Sequence, residues 1–456
     1  MARELSKYTS SVCLLEKEND VAMGASKANS GIIHGGFDPE PNTVKARLNT
    51  AGVEKLFTAA NDLHVPHRRN GSLVCAFSEE EKVQIENLFA RGKKNHVPNL
   101  QILDGIAART LEPELSSEVV CALYAPNAGI LCPYELTLAA IGNAMDNGVT
   151  LYRNFEVASI NPGFHITSTA GEVIEAEGVI NCAGTGASHI AALAGDDIGP
   201  ITPVAGEYLL LDKVEGRRIS HTVFQVPTAA GKGVLVTPTV DGNLLLGPTA
   251  CERNSTETTS SGSSQIRTLV QKSVPNVDLS QQITSFCGVR AKGNGGDFLI
   301  CASRIPHLFH AAAIDSPGLT CCVAIAEELV SLIQNEFPLT PRSDWNGTRP
   351  DPHAFRSMNE TEKNEYIKSH PEYGRIVCRC EGISEGEIRA ACRTNPQARD
   401  LDGIKRRTRS GMGRCQGGFC LPHVLSILSE ESALEPCELT KHGSDSILVW
   451  KRGDDK

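Results

Sequence analysis

The chain has 456 residues, 40% hydrophobic and 21% charged, a composition that excludes long disorder and fibrous repeats and leaves room for two to four domains of about 100 to 200 residues each. Fifty-four acidic against 44 basic residues give a net charge of -10, which disfavours nucleic-acid binding through phosphate neutralisation. No run reaches the roughly 18 uncharged apolar residues of a membrane span, and the opening MARELSKYTS is charged where a signal peptide would be apolar; a cytoplasmic chain, at most peripheral to a membrane through a partner, is expected.

In chain order, ARELSKY reads as the tail of a helix and SVCLLEKE as a short strand with an acidic end, the middle of a βαβ unit. Glu16 stands where such units hold a ribose hydroxyl, about 20 residues after the glycine loop; taken by itself it reads first as an exposed strand-end carboxylate. The first strand and its G-x-G-x-x-G loop would fall upstream of Met1 and are absent from this sequence. GASKANSGIIHGG (24–36) joins glycines and small polar residues around one histidine, a composition that lets backbone approach a flat ligand. Amphipathic helices are expected at 43–60 and 133–148, the second with Pro133 in its first turn. VTLYRNFEVASI and a hairpin-like run then lead to NCAGTGA (181–187). From 206 to 300 the pattern turns β-rich, as for a largely antiparallel domain. In FHAAAIDSPGLTCCVAIAEELVSLI (309–333) a strand, a Ser316-Pro317-Gly318 turn and an apolar helix follow one another, and the free amides at that helix start suit negative charge.

Together these blocks resemble the D-amino-acid oxidase and glycerol-3-phosphate dehydrogenase superfamily of flavoproteins. The resemblance implies that Glu16 binds the FAD ribose, that Ser26 and Lys27 lie near the pyrophosphate, and that Asn29, Ser30 and Gly31 begin the passage beside the flavin, with His34 at the reaction site. It places the Val157 backbone at the adenine, Ala183 and Gly184 against the dinucleotide, and Gly318, Leu319 and Thr320 against the flavin ring. Arg290, in GVRAKGNGGDFLI (288–300), becomes the candidate for a substrate carboxylate or phosphate, with Lys292 a weaker neighbour; arginine suits the task by its planar fork.

Past a polar, proline-containing stretch, VCRCEGIS and SGMGRCQGGFCLP carry Cys378, Cys380, Cys415 and Cys420, with 34 residues between the pairs. Ser384 and Glu387 form a capping box, and Pro422 fits a helix start after Cys420. Four thiolates suit zinc or an iron-sulfur cluster, and the C-x-C spacing counts against zinc. The segment resembles the bacterioferritin-associated ferredoxin type of 2Fe-2S domain. Cys392 and Cys437 read as packing residues, and the run Lys405, Arg406, Arg407, Arg409 and Arg414 as a solvated face, a counterweight to cluster charge or a dock for an acidic partner.

The expected fold is α/β plus α+β. It comprises a Rossmann-like FAD-binding domain without its first strand (about 1–70, 135–205 and 285–340) and an antiparallel β-rich substrate domain (about 71–134 and 206–284). A linker (341–374), a small helical 2Fe-2S domain (375–430) and a tail (431–456) complete it. The arrangement resembles the flavin subunits of anaerobic glycerol-3-phosphate dehydrogenases. That implies FAD and a 2Fe-2S cluster as cofactors, a small anionic hydroxylated substrate, and an electron-acceptor protein or quinone-linked partner. The alternatives are an L-2-hydroxyacid dehydrogenase, a flavin-less iron-sulfur module and a zinc scaffold.

Overall fold

The structure, a computed structural model, describes residues 1–8, 11–227, 233–443 and 446–451; the last five residues of the expected tail lie outside them. Two small sheets, each with one parallel strand pair, form the nucleotide-binding part. Cys13–Leu15 pairs with Thr150–Tyr152, and Val179–Asn181 pairs with Leu308–Ala312, which also carries Leu299–Ala302 antiparallel. Among the described residues Cys13–Leu15 and Val179–Asn181 each keep one edge unpaired, yet Val12 and Ile180 pack on one apolar core, and Leu15 and Val179 on another.

The helix expected at 43–60 is Val44–Asp62. Thr43 caps it by accepting the Ala46 amide, and the Asp297 carboxylate accepts the Val44 and Lys45 amides at 2.7 and 2.9 Å, tying the helix start to the glycine-rich turn 293–297. Its Gly52 lies against the backbone of Gly318–Ile333: a Cβ there would strike the Thr320 carbonyl oxygen and stand 3.1 Å from the Cys321 Cα. The absence of a side chain at position 52 therefore fixes how closely these two helices pack.

The β-rich part is one nine-stranded sheet. Ile201–Leu211 runs antiparallel to Gln282–Gly293 along its whole length, Val204 opposite Arg290. The sheet continues through Leu244–Gly247, Leu235–Pro238 and Thr222–Gln225 to Ser72–Ala76, Cys121–Ala125 and Gln101–Asp104, so residues from both expected segments share it. The pairing is antiparallel except where Thr222–Gln225 meets Ser72–Ala76. Helix Ser260–Ser273 buries Ile266 and Val270 on one face, and Glu79–Lys94 buries Ile85 and Leu88 on the other, which explains strands reading as continuous apolar runs.

Residues 341–374, read from composition as a linker, carry the helices Ala354–Ser357 and Glu360–Ser369 and are bonded to the nucleotide-binding part: Trp345 donates to Ser6 Oγ at 3.1 Å and Asn143 to the Asn346 carbonyl at 2.9 Å. The C-terminal unit packs helices Glu385–Arg393, Leu401–Thr408 and Leu421–Ser432 around Ile383, Ile388, Ile404, Val424 and Leu428. Leu439 joins that core, and the Leu401 and Asp402 amides donate to the Thr440 and Lys441 carbonyls, so the described part of the tail packs on this unit.

Candidate active site and cysteine cluster

The nucleotide-binding segment leaves the strand Cys13–Leu15 at Glu16, whose carboxylate accepts the Glu18 amide at 3.0 Å; burial raises its pKa above the usual carboxylate value. A short turn follows at Gly24–Ser26, exposed and poor in side chain. Burial likewise lowers the Lys27 amine, which reaches Met23 Sδ at 3.5 Å. Asn29 organises the next bend, donating to the Ala25 carbonyl at 2.9 Å and accepting the Gly31 amide at 2.8 Å. Gly31 is left-handed, and a Cβ there would collide with the Leu131 carbonyl oxygen, so glycine is required.

The chain then reaches His34. Its amide donates to Thr320 Oγ1 at 2.9 Å, its carbonyl accepts from Asn49 at 2.8 Å, and its Nε2 lies 3.4 Å from Ser316 Oγ. The structure thus joins the segments 24–36 and 309–333 around one histidine, across a separation of 286 residues for the Thr320 contact. Arg290 is positioned by its Nη2 donating to the Thr249 carbonyl at 3.2 Å. It neighbours Tyr208, whose hydroxyl meets the Ser30 side chain; burial raises that phenol to about 12, opposed by Arg290 and Ser30. Lys292, two residues on, shares the Arg290 face of the strand and is exposed.

Ala183 and Gly184 follow the strand Val179–Asn181 in an exposed run from Cys182 to Thr185. Gly184 is left-handed, with nothing within 4 Å of where a Cβ would stand. Beneath, Asn181 holds the loop by donating to the Ala187 carbonyl at 2.8 Å and leans on buried His310, which faces Asp196 at 3.0 Å. Val157 begins the strand Val157–Asn161 of a separate three-stranded sheet. The bare backbone at Gly24–Ser26 and Cys182–Thr185 fits a flat dinucleotide, as does the open space beside Gly184.

Among the cysteines, Cys380 Sγ and Cys415 Sγ lie 3.5 Å apart, and Cys378 neighbours Cys420, where its presence adds to burial in disfavouring the Cys420 thiolate. Burial opposes charge at Cys415, but contacts from Cys380 and the amides of Phe419, Gly417 and Gly418 outweigh it and bring that thiol below its ordinary value. No three metal-binding side chains converge on one point among the described residues. Two facing sulfur pairs fit a two-iron cluster, in which each iron takes two of the four protein thiolates, better than one tetrahedral zinc. Gly413 allows the fold, since a Cβ there would strike Cys380 Cβ. The capping box of Ser384 and Glu387 is present, and Cys392 packs on the apolar core of this unit.

The sequence profile of FAD dependent oxidoreductases matches residues 1–332, and that of BFD-like [2Fe-2S] binding domains matches residues 376–430. The chain belongs to the FAD dependent oxidoreductase family. Within the family it is 40% identical to a glycerol 3-phosphate dehydrogenase of Caloramator mitchellensis over 98% of this chain and 95% of that one. It is 34% identical to a glycerol 3-phosphate oxidase of Mycoplasma genitalium, over 76% of this chain and 93% of the relative. In structure it matches dithionite-reduced L-alpha-glycerophosphate oxidase from Mycoplasma pneumoniae with FAD bound, at a TM-score of 0.73 and 31% identity, over 76% and 94% of the two chains. The extra quarter of this family member holds the cysteine unit.

The basic run 405–414 is not a solvated face: the side chains of Arg406, Arg407 and Arg409 are 5, 7 and 9% exposed, and only Arg414, at 66%, turns to solvent. Arg406 and Arg407 hold buried Asp20 at 2.5 and 2.7 Å. Burial alone would raise the Asp20 carboxyl, but Arg407, Arg406 and Arg153 bring it to about 2. Nothing local in the sequence marks Asp20, Tyr134, Asn49 and Tyr208, whose partners Arg407, Arg409, His34 and Ser30 lie 15 or more residues away.

Proposed function

We propose that this protein is an FAD-dependent dehydrogenase that oxidises sn-glycerol 3-phosphate to dihydroxyacetone phosphate and passes the electrons through its 2Fe-2S domain to an acceptor protein or quinone-linked partner. The observation that carries the reading is the meeting of His34, Ser316 and Thr320 in a chain 40% identical, over nearly all its length, to a glycerol 3-phosphate dehydrogenase. FAD, held along Glu16, Ser26, Lys27, Asn29 to Gly31, Val157, Ala183, Gly184 and Gly318 to Thr320, supplies a two-electron acceptor, and the cluster on Cys378, Cys380, Cys415 and Cys420 a one-electron one.

The chain's own groups do the rest. Arg290, aimed by the Thr249 carbonyl, binds the substrate phosphate through its fork. His34 takes the hydroxyl proton of the substrate at Nε2, with Ser316 Oγ at 3.4 Å orienting the ring and Thr320 and Asn49 fixing the backbone beneath it. Lys292, on the same strand face as Arg290, adds the second positive charge a phosphate calls for.

Anaerobic titration of the purified protein tests the reading. Glycerol 3-phosphate should bleach the flavin band and L-2-hydroxyglutarate should not. The reverse result would assign an L-2-hydroxyacid dehydrogenase, and a protein purified without flavin would exclude both.

A further inference from the structure

We propose that Arg409 is a positioning residue that rivets the cysteine loop onto helix Pro133–Asp146 and onto the β-rich sheet's turn at Asp241 and Asn243, and that its contact Tyr134 is the seam across which electrons pass between the two cofactors. The inference rests on the two-cofactor reading but not on the identity of the substrate.

Helix Leu401–Thr408 ends with Arg409 in the left-handed region at φ 68°, its amide donating to the Lys405 carbonyl at 2.9 Å. That conformation costs a non-glycine residue of the order of 1 kcal/mol, so it persists only where surrounding contacts determine it. The contacts are there, and they come from three separate segments. Nε donates to Glu381, next to Cys380, at 3.0 Å; Nη1 reaches the Tyr134 hydroxyl at 3.1 Å and Asp241 at 2.5 Å; Nη2 reaches Asn243 Oδ1 at 3.4 Å. Tyr134 belongs to helix Pro133–Asp146, and Asp241 and Asn243 to the turn between strands Leu235–Pro238 and Leu244–Gly247. Only a planar guanidinium can serve so many acceptors in fixed directions at once; lysine, a point charge, cannot.

Three residues on, the Met412 amide donates to the Arg409 carbonyl at 2.9 Å, and Met412 Sδ lies 3.5 Å from the Tyr134 hydroxyl. The loop bearing Cys415 and Cys420 therefore starts in register on Tyr134. On its other side the Tyr134 ring packs on the core of Ile33, Leu131, Cys132 and Leu136, against which Leu319, beside the candidate flavin site, also packs. A packed route thus runs from the start of helix Gly318–Ile333 through Tyr134 to the cysteine loop, and Arg409 sets its width. A reduced flavin held at that site would give up its two electrons one at a time, and a cluster on the four cysteines would take each in turn as the reduction of one ferric iron to ferrous, passing it on before the next.

The test photoreduces the anaerobic holoenzyme with light and EDTA, which serves as the electron donor, so no substrate enters. In the unaltered protein the flavin band should bleach and the low-temperature EPR signal of the reduced cluster should rise together. In Arg409→Ala the flavin should bleach at an unchanged rate while the cluster signal lags behind it, since electron-transfer rates fall steeply as the two groups part; Arg409→Lys should lag less. Hydrogen exchange at residues 411–413 should quicken in the same variant. Because Glu381 adjoins Cys380, Asp241→Ala, across the seam from the cysteines, is the companion and should show the lag with full iron content. Cluster reduction in step with the flavin in Asp241→Ala and in every iron-replete Arg409 variant would overturn the proposal. If the variants lag but glycerol 3-phosphate leaves the flavin unbleached, the seam stands and the substrate assignment falls.

Discussion

The two redox regions of this molecule are built in opposite ways. The cysteine unit gathers its four sulfurs from residues 378–420, over a compact core of three short helices. The candidate flavin site joins segments almost 300 residues apart, with His34 meeting Thr320 and Ser30 meeting Tyr208. A local site depends on its turn chemistry and ligands; a dispersed one depends on every element that holds its segments in place. Two of the contacts between the regions, at Asp20 and at Arg409, are buried charges, so each region contributes to the other's geometry.

The contrast breaks most visibly at the cysteines. Cys420→Ser should abolish iron uptake while FAD is still retained, because Cys420 is buried in the cysteine unit's own core; iron analysis and the visible spectrum check this, and joint loss of both cofactors would show the cysteine unit to be needed for the flavin site. Asp20→Ala comes next. It leaves Arg406, Arg407 and Arg153 buried around a missing anion, a change that costs about 3 kcal/mol, seen as a lower urea midpoint. The carboxyl is depressed to about 2, so its contribution is present above the unfolded value of about 3.9 and is lost as pH falls towards 2. Acid titration of stability should therefore be flatter in the variant over that window.

Arg290→Ala should lose about 2 kcal/mol of transition-state binding, roughly thirtyfold in kcat/KM, with cofactor spectra unchanged; an unaltered KM and kcat would remove Arg290 from the substrate site. The smallest effect concerns the strap 341–374. His353 lies 2.7 Å from Glu135; burial opposes its charge, but that bond prevails and raises its pKa above the ordinary histidine value. The stabilisation is thus full below about 6.5 and fades as pH rises through the raised value. Protection from hydrogen exchange around His353, taken relative to the intrinsic exchange rate at each pH, should fall between pH 6 and pH 9, and His353→Gln should remove that fall.

The legible features were those whose physics is local. C-x-C and C-x4-C pairs with interleaved glycines, the capping box at Ser384, the Pro133 helix start and the alternation of strand and helix each depend on neighbours a few residues away. The same locality misled at the basic run. Five cationic residues within ten positions look solvated when nothing nearby neutralises them, but Asp20 lies 386 residues from Arg406 and Tyr134 lies 275 from Arg409. Composition likewise marked 341–374 as a linker, because its polar groups are satisfied by distant partners such as Asn143 and Ser6.

By itself, then, the sequence determined the kinds of chemistry present: a flavin-type segment, four paired thiolates, a β-rich partner domain and the order in which they follow. Tertiary structure alone decided which side chains share a site and which charges are buried. The reason is that short-range sterics, capping and ligand spacing act along the chain, whereas desolvation and ion pairing depend on what folding brings alongside. Arg409 shows the difference: in the chain it is one of five basic residues, and in the fold it is buried among Glu381, Tyr134, Asp241 and Asn243.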